Sequence, residues 1–493
     1  MSIKKIIGAV VALIVGLFLI ALVRTLMPVG GSDQATGETA RLIEVDPQAA
    51  AQNLSRALQF KTVTTQNSED TDWPIFLEFQ AWLQETYPNF HGAVSTQMME
   101  TYTPFHTWQG SDASLAPIVF LAHQDVVPAT EEPDSGWQHP PFDGVIEQGV
   151  IFGRGAVDDK GSLIGILEAA DRLAASGFTP ERTLIFVFGH NEEVSGSGAR
   201  AAAELLRSQG VSPLAVFDEG GAVVNGLGGG TKPVAIVAAA EKGYLTLTLT
   251  SEARGGHSST PPNYTAIGAL SKAIARIEAN PFKQDFDPIS TGLLKTLSTE
   301  QSFFQKMAMR NLWLFGPLVK KSMKDDDAMR AILGTTIAPT IIDAGFKENA
   351  LPREAKAYIN FRLHPRDSIE DVIAHVTRAV DDPAIKIEKA KGFMGEASPV
   401  SPIGTGSYAM IENIVRQVFP DAVTAPNMLT AATDSRHFVI VTDNVYRFAP
   451  IQMELADMGR IHGINEQTSV ASHAKAIQAY YLMLTEASKP EGG

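Results

Sequence analysis

The sequence predicts an α/β protein: a mostly parallel sheet wound with helices, interrupted by an inserted α+β two-layer unit and preceded by one transmembrane helix. Three observations lead there. Buried-type strands alternate with apolar-periodic helices between residues 117 and 217, strictly alternating strands follow residue 242, and an uncharged apolar run stands near the N-terminus. Strand, helix and strand in that rhythm imply parallel pairing through helical crossovers. The chain has 493 residues, and at roughly 150 residues per domain this is about three domain-equivalents. A hydrophobic share of 44% with 19% charged residues is ordinary globular composition and excludes a disordered chain or a rod.

The elements follow in order. Lys4 and Lys5 precede the apolar run Ile6 to Val23, which Arg24 closes and Pro28, Gly30 and Gly31 break. As a helix this run spans about 27 Å, close to the hydrocarbon thickness of a bilayer. No small-x-small cleavage site follows soon after it, so residues 1–30 read as an uncleaved signal anchor rather than a cleaved signal peptide. Two lysines and the α-amine outweigh Arg24, which places the N-terminus in the cytoplasm and the bulk of the chain outside, periplasmic or extracellular. Cleavage would make the protein secreted instead. Residues 31–44 read as a polar tether. Asp46-Pro47 then caps a helix running to about Gln59, and a region rich in Thr, Trp and Pro reads as loop. Strands at 117–122, 183–188 and 214–217 alternate with helices at 161–176 and 197–209. Residues 45–241 therefore form the first part of the parallel-sheet domain. The strictly alternating strands 244–250 and 355–363, with helices carrying Ile267, Leu270, Ile274 and Ile277 and spanning 368–380, mark 242–395 as a separate inserted α+β unit. Residues 396–493 complete the first domain.

Composition narrows the chemistry. Forty basic against 55 acidic residues give a net charge of -15, and no sequence block of basic residues stands out. A nucleic-acid or anionic-lipid surface is therefore not expected as the main partner. There are no cysteines, so disulfides, thiolate metal sites and thiol catalysis are excluded, and any metal must be held by His and carboxylates.

Ligands in open α/β sheets bind beyond the carboxyl ends of the strands. Those ends carry His123-Gln124-Asp125, Gly189-His190-Asn191-Glu192-Glu193 and Asp218-Glu219-Gly220-Gly221, with Asp158 and Asp159 opening the intervening helix. Imidazole and carboxylates gathered at one edge suit divalent zinc, cobalt or manganese. Two neighbouring cations need a shared anionic ligand, for which Asp158 is the natural bridge. Of Glu192 and Glu193, one ligand and one general base is the economical division. Asp125, two residues from His123, can accept the far imidazole N–H and orient the ring. A phosphate-loop reading of Gly155 to Ser162 fails because it runs Lys-Gly rather than Gly-Lys, and Ser258 or Ser435 lacks a nucleophile-elbow pattern.

The stretches LAHQDVVP, GRGAVDDKG, GHNEEVSG and VFDEGG, followed by GGHSSTPP, KENALP, NFRLHP, TDSRHF and RIHGINE, are similar to the di-zinc exopeptidase family of aminoacylase, glutamate carboxypeptidase and carboxypeptidase S. The resemblance extends from about residue 45 to 485. It implies a zinc-peptidase catalytic domain with an inserted lid, and two Zn²⁺ per chain for which Co²⁺ or Mn²⁺ could substitute. One zinc would be held by His123, bridging Asp158 and Asp218, the other by Asp158, Glu193 and His462. Glu192 would be the general base and Asp125 the catalytic carboxylate behind His123. His257 would stabilise the oxyanion, and the Asp158-Asp159 peptide would be cis. Asn349, Arg362 and Arg436 are candidates for gripping a substrate carboxylate, a task suited to a guanidinium.

The implied reaction is hydrolysis of an amide next to a free carboxylate, in a small peptide or an N-acyl amino acid. The apolar region 284–344, with Phe303, Phe304, Met307, Leu312, Trp313 and Leu318, together with GTTIAPTIIDAGFKENALP, resembles the carboxypeptidase S and N-fatty-acyl-amino-acid branch and is expected to line an acyl pocket. A homodimer through the lid is a further expectation. The rival readings are a catalytically idle binding ectodomain, which would have lost ligands or the base, and a cytosolic short-chain aminoacylase or dipeptidase.

Overall fold

The computed structural model describes residues 3–27, 42–132, 134–404 and 406–490. The N-terminal helix covers Ile3–Leu26, and its apolar side chains are largely exposed, with Ala21 and Thr25 buried near its C-terminal end. The tether expected over 31–44 lies outside the described residues except for 42–44. The next helix runs Pro47–Leu58 with Asp46 accepting from the backbone N–H of Gln48 at 2.9 Å. This is the capped, proline-started helix the sequence signals.

A ten-stranded sheet forms the main body. Its centre is parallel: Ile118–His123 lies between Leu184–Gly189 and Ala215–Asp218, and Val445–Arg447 continues on the far side of Ala215–Asp218. The helices Lys160–Ala175 and Ser197–Ser208 make the crossovers. The sheet as a whole is mixed, which corrects the mostly parallel expectation. On one side the hairpin Ser95–Met99 with Thr103–Trp108 adds antiparallel strands, and on the other Val234–Glu241 pairs antiparallel with Val445–Arg447 and Val223–Asn225. The hairpin replaces part of the loop read from Thr, Trp and Pro. Its turn sets Glu100 and Thr101 at positive φ, +47° and +74°, where Asn-Gly or Asp-Gly would have announced it. In the same region Trp73–Thr86 is a helix with its proline in the first turn.

A second sheet of four antiparallel strands is built from Thr336–Ala344, Glu354–Leu363, Gly243–Glu252 and Ile385–Lys389. Leu245, Leu247, Leu249, Ile359 and Phe361 point to one face and pack under the helices Ala266–Ala279 and Ile369–Val380, a core of their own. The helices between residues 288 and 333 lie in sequence within this insertion but pack elsewhere. Ile289, Leu293, Leu294, Val319 and Met323 belong to the core of the large sheet. Gly292 makes this possible, because a Cβ there would stand 2.5 Å from Pro426 on the strand Val423–Leu429.

Candidate active site

The carboxyl ends of the parallel strands do converge. His123 ends its strand fully buried, with Nε2 at 2.9 Å from Asp158 Oδ1 and Nδ1 at 2.9 Å from the Asp125 carbonyl and 3.3 Å from Asp125 Oδ1. Asp125 also accepts the backbone N–H of Glu192 at 3.1 Å, that of Glu193 at 3.2 Å and the Thr64 hydroxyl at 2.7 Å. One carboxylate thus orients the imidazole and fixes the backbone of both glutamates. Across the cleft His462 Nε2 stands 3.0 Å from Asp158 Oδ2 and 3.1 Å from Glu193 Oε2. The Asp158-Asp159 peptide is cis.

Two triads of donor atoms result. His123, Asp158 and Glu219 form one, and Asp158, Glu193 and His462 the other, with the ligand atoms of each within 4.8 Å of one another and Asp158 in both. The first triad differs from the expectation. Asp218 spends its oxygens on backbone, Oδ1 accepting from Glu219 N–H at 2.9 Å and Oδ2 from Ser435 N–H at 2.7 Å, while the side chain of its neighbour turns toward His123. The sequence offers both carboxylates side by side, and the tight turn after the strand selects which one faces the cleft.

The donor set fits divalent cations. Three carboxylates and two imidazoles are nitrogen and oxygen ligands of the kind zinc, cobalt and manganese take. Glu193 Oε1 is buried without a hydrogen-bond partner, a lone pair free for a ligand bond. Hydrogen bonds that its ring donates to Asp158 and then Glu193 push the pKa of the His462 imidazole up to about 10, so the cleft favours positive charge. Burial pushes the Glu192 carboxyl well up, with Asp434 and Glu193 adding to it while His123 and Arg436 oppose. A carboxylate whose hold on a proton is strengthened in this way is suited to taking one and returning it.

One group escaped the sequence reading. Glu466 is fully buried, and its Oε1 accepts the backbone N–H of Gly155, Val157 and Asp158 at 3.1, 2.9 and 3.1 Å. Its Oε2 pairs with Arg154 Nη1 at 2.6 Å, and Arg154 Nη2 donates to the Gly463 carbonyl at 2.8 Å. The loop carrying Asp158 and the loop carrying His462 are locked together through this pair. Both residues lie in stretches that the motifs cover, but spacing gave no hint that they meet.

The remaining candidates divide. Arg436 is at the site, with Nη1 3.4 Å from Glu192 Oε1. Arg362 reaches its border from the second sheet, lying over the Tyr244 ring and pointing Nη1 at the Thr430 carbonyl, 3.5 Å away. His257 and Asn349 are not brought to the cluster. His257 is exposed on the short strand Gly256–His257, its Nδ1 accepting from Ser259, and exposed Asn349 offers its carbonyl to Ser258 N–H. Both belong to the second unit, so the oxyanion role implied for His257 has no contact within one chain.

From Asp158, Glu193 and His462 a cavity of about 1050 Å³ extends away from the strand ends. Its far walls are apolar, with Leu293, Leu297, Met309, Val319, Met323 and Ile332 from the helices between 288 and 333.

Residues 119–486 match the profile of Peptidase family M20/M25/M40. The chain is 37% identical over 448 residues to "Probable carboxypeptidase S-like 2" of Dictyostelium discoideum, covering 89% of this chain and 85% of that protein. It is 36% identical over 453 residues to "N-fatty-acyl-amino acid synthase/hydrolase PM20D1" of Mus musculus, covering 90% and 89%. Among solved structures, an M20 family metallo-carboxypeptidase from Sulfolobus solfataricus shares the fold with a TM-score of 0.65 at 16% identity, over 90% of this chain and all of that one. Human carnosine dipeptidase 1 gives 0.60 at 15% identity, over 90% and 96%.

Proposed function

The chain belongs to peptidase family M20/M25/M40, a family of metal-dependent hydrolases, and from that premise we propose that it cleaves the amide of N-acyl amino acids with long apolar acyl groups. The observation that carries this reading is the apolar cavity of about 1050 Å³ opening from the donor cluster. The cavity is long on hydrocarbon and poor in partners for a peptide backbone. Names of relatives agree with it, one being an N-fatty-acyl-amino acid synthase/hydrolase.

Zinc ions held by His123, Asp158 and Glu219 and by Asp158, Glu193 and His462 would supply charge to polarise the scissile carbonyl and to acidify water. The protein's own groups do the rest. Glu192 takes the water proton and returns it to the leaving amine. Asp125 keeps the His123 ring in register and holds the backbone of Glu192. Arg436, and Arg362 from the second sheet, supply guanidinium groups for the carboxylate of the amino acid. The acyl chain lies along Leu297, Met309 and Met323.

A series of N-acyl amino acids of rising chain length tests this. Each methylene buried contributes about 0.8 kcal/mol, or about fourfold in kcat/KM, until the cavity is filled. Faster turnover of N-acetyl amino acids or small polar dipeptides would refute the acyl reading. In the same assay Glu192→Gln should lose about 10²- to 10⁴-fold in rate while keeping the metal content of the parent.

A further inference from the structure

The N-terminal helix does not stand apart from the body. Its C-terminal end is held by the junction of the helices Phe303–Arg310 and Leu312–Ser322. Arg310 Nη1 donates to the carbonyls of Thr25 and Met27 at 2.8 and 2.6 Å, where the last carbonyls of a helix lack partners of their own. Buried Asn311 donates to the Ala21 carbonyl and the Thr25 hydroxyl, both at 3.1 Å. Ala21 lies inside the apolar run Ile6 to Val23. Whatever packs on Ala21 therefore sits at the rim of any bilayer that the helix crosses.

The face held at that depth has the composition of an interfacial one. Phe303, Phe304, Trp313 and Leu318 are 43, 75, 48 and 62% exposed. Residues 301–324 carry five cations, Lys306, Arg310, Lys320, Lys321 and Lys324, but Glu300 and Asp325 to Asp327 flank them, Lys320 pairs with Asp285 at 2.5 Å and Arg310 is engaged by the helix end. Exposed Lys321 and Lys324 remain as the cations this face offers to a lipid headgroup. Exposed Phe304 and Leu318 also line the cavity, so it reaches this face.

We infer that the face made by Phe303–Arg310 and Leu312–Ser322 docks on the bilayer that holds the N-terminal helix, so that the acyl cavity opens toward lipid and draws its substrate from it. The inference rests on the acyl-amino-acid reading and on the helix spanning the membrane. Its parts agree physically: aromatic side chains settle at the headgroup level, lysines are drawn to anionic lipid, and an amphiphile entering from lipid never exposes its chain to water.

The test uses the full-length, zinc-loaded chain in vesicles of phosphatidylcholine with phosphatidylglycerol that carry a nitroxide-labelled lipid. The fluorescence of Trp313, isolated by comparison with Trp313→Phe, is quenched by the labelled lipid and shielded from aqueous iodide. Lys321→Glu with Lys324→Glu reduces that quenching. The same pair slows hydrolysis of a vesicle-dissolved long-chain acyl amino acid, by about fivefold for each cation lost, and leaves hydrolysis of a water-soluble N-acetyl amino acid unchanged. Trp313 open to iodide and untouched by the lipid label overturns the docking while the hydrolase reading stands. So does a Trp313 shielded from both, the mark of a second copy covering the face. Quenching at Trp313 with no hydrolysis of any acyl amino acid leaves the docking and sinks the hydrolase.

Discussion

At the scale of single residues, the cleft shows why neighbouring carboxylates cannot be ranked from sequence. Asp218 and Glu219 are adjacent, and the resemblance favours Asp218 as ligand. The structure gives Asp218 to two backbone N–H groups and turns Glu219 toward His123. On the proposed holding of two zinc ions, Glu219→Gln is therefore expected to lower the zinc content toward one per chain, read by elemental analysis. Asp218→Asn should keep both ions and instead destabilise the fold by about 1–3 kcal/mol, the cost of disturbing buried acceptors. The reverse pattern would return the ligand role to Asp218. His123, Asp158 and the Glu192-Glu193 pair were legible because each follows a buried strand or opens a helix. His462 was not, since its loop at φ +58° belongs to no periodic element. Resemblance alone found it. Glu466 needed the fold, because its partners are backbone amides, which leave no trace in residue type.

At the scale of elements, the parallel strands and their crossover helices were readable within a residue or two, because apolar runs and 3.6-residue periods are strong signals. The hairpin at Ser95–Trp108 was not, as its turn uses Glu and Thr where Gly is usual. Periodicity was also silent about the helices between 288 and 333: an apolar stripe tells that a helix is buried, not against which sheet. Their attachment to the large sheet makes them a wall of the cavity. The first of them, Pro288–Leu297, is set by a capping box in which Asp287 accepts from Ser290 N–H at 2.7 Å, and the same carboxylate reaches His364 Nε2 at 3.0 Å just past the strand Glu354–Leu363 of the second sheet. Leu297, 7% exposed, closes that helix on the cavity side. Leu297→Trp should shift the optimum of the acyl series to shorter chains by several methylenes without loss of activity on short ones. An unchanged optimum would remove this helix from the acyl path.

At the scale of the whole molecule, the donor cluster concentrates three half-buried carboxylates that oppose one another. Cations that bind the folded state alone stabilise it by about 4 kcal/mol when present at a thousandfold over their Kd. Chelation should therefore lower the Tm by several degrees, and Zn²⁺ should restore it, as followed by calorimetry with the full chain. An unchanged Tm on chelation would mean that the cluster holds itself together without metal.

Arg154 and Glu466 stand 312 positions apart along the chain. During synthesis the amino-terminal strands can collapse as they emerge, but the loop bearing Asp158 stays unmoored until Glu466 has been made. Assembly of the cleft thus waits for a residue far downstream of most of its parts. A chain cut short before His462 lacks a member of the donor cluster as well as the clamp.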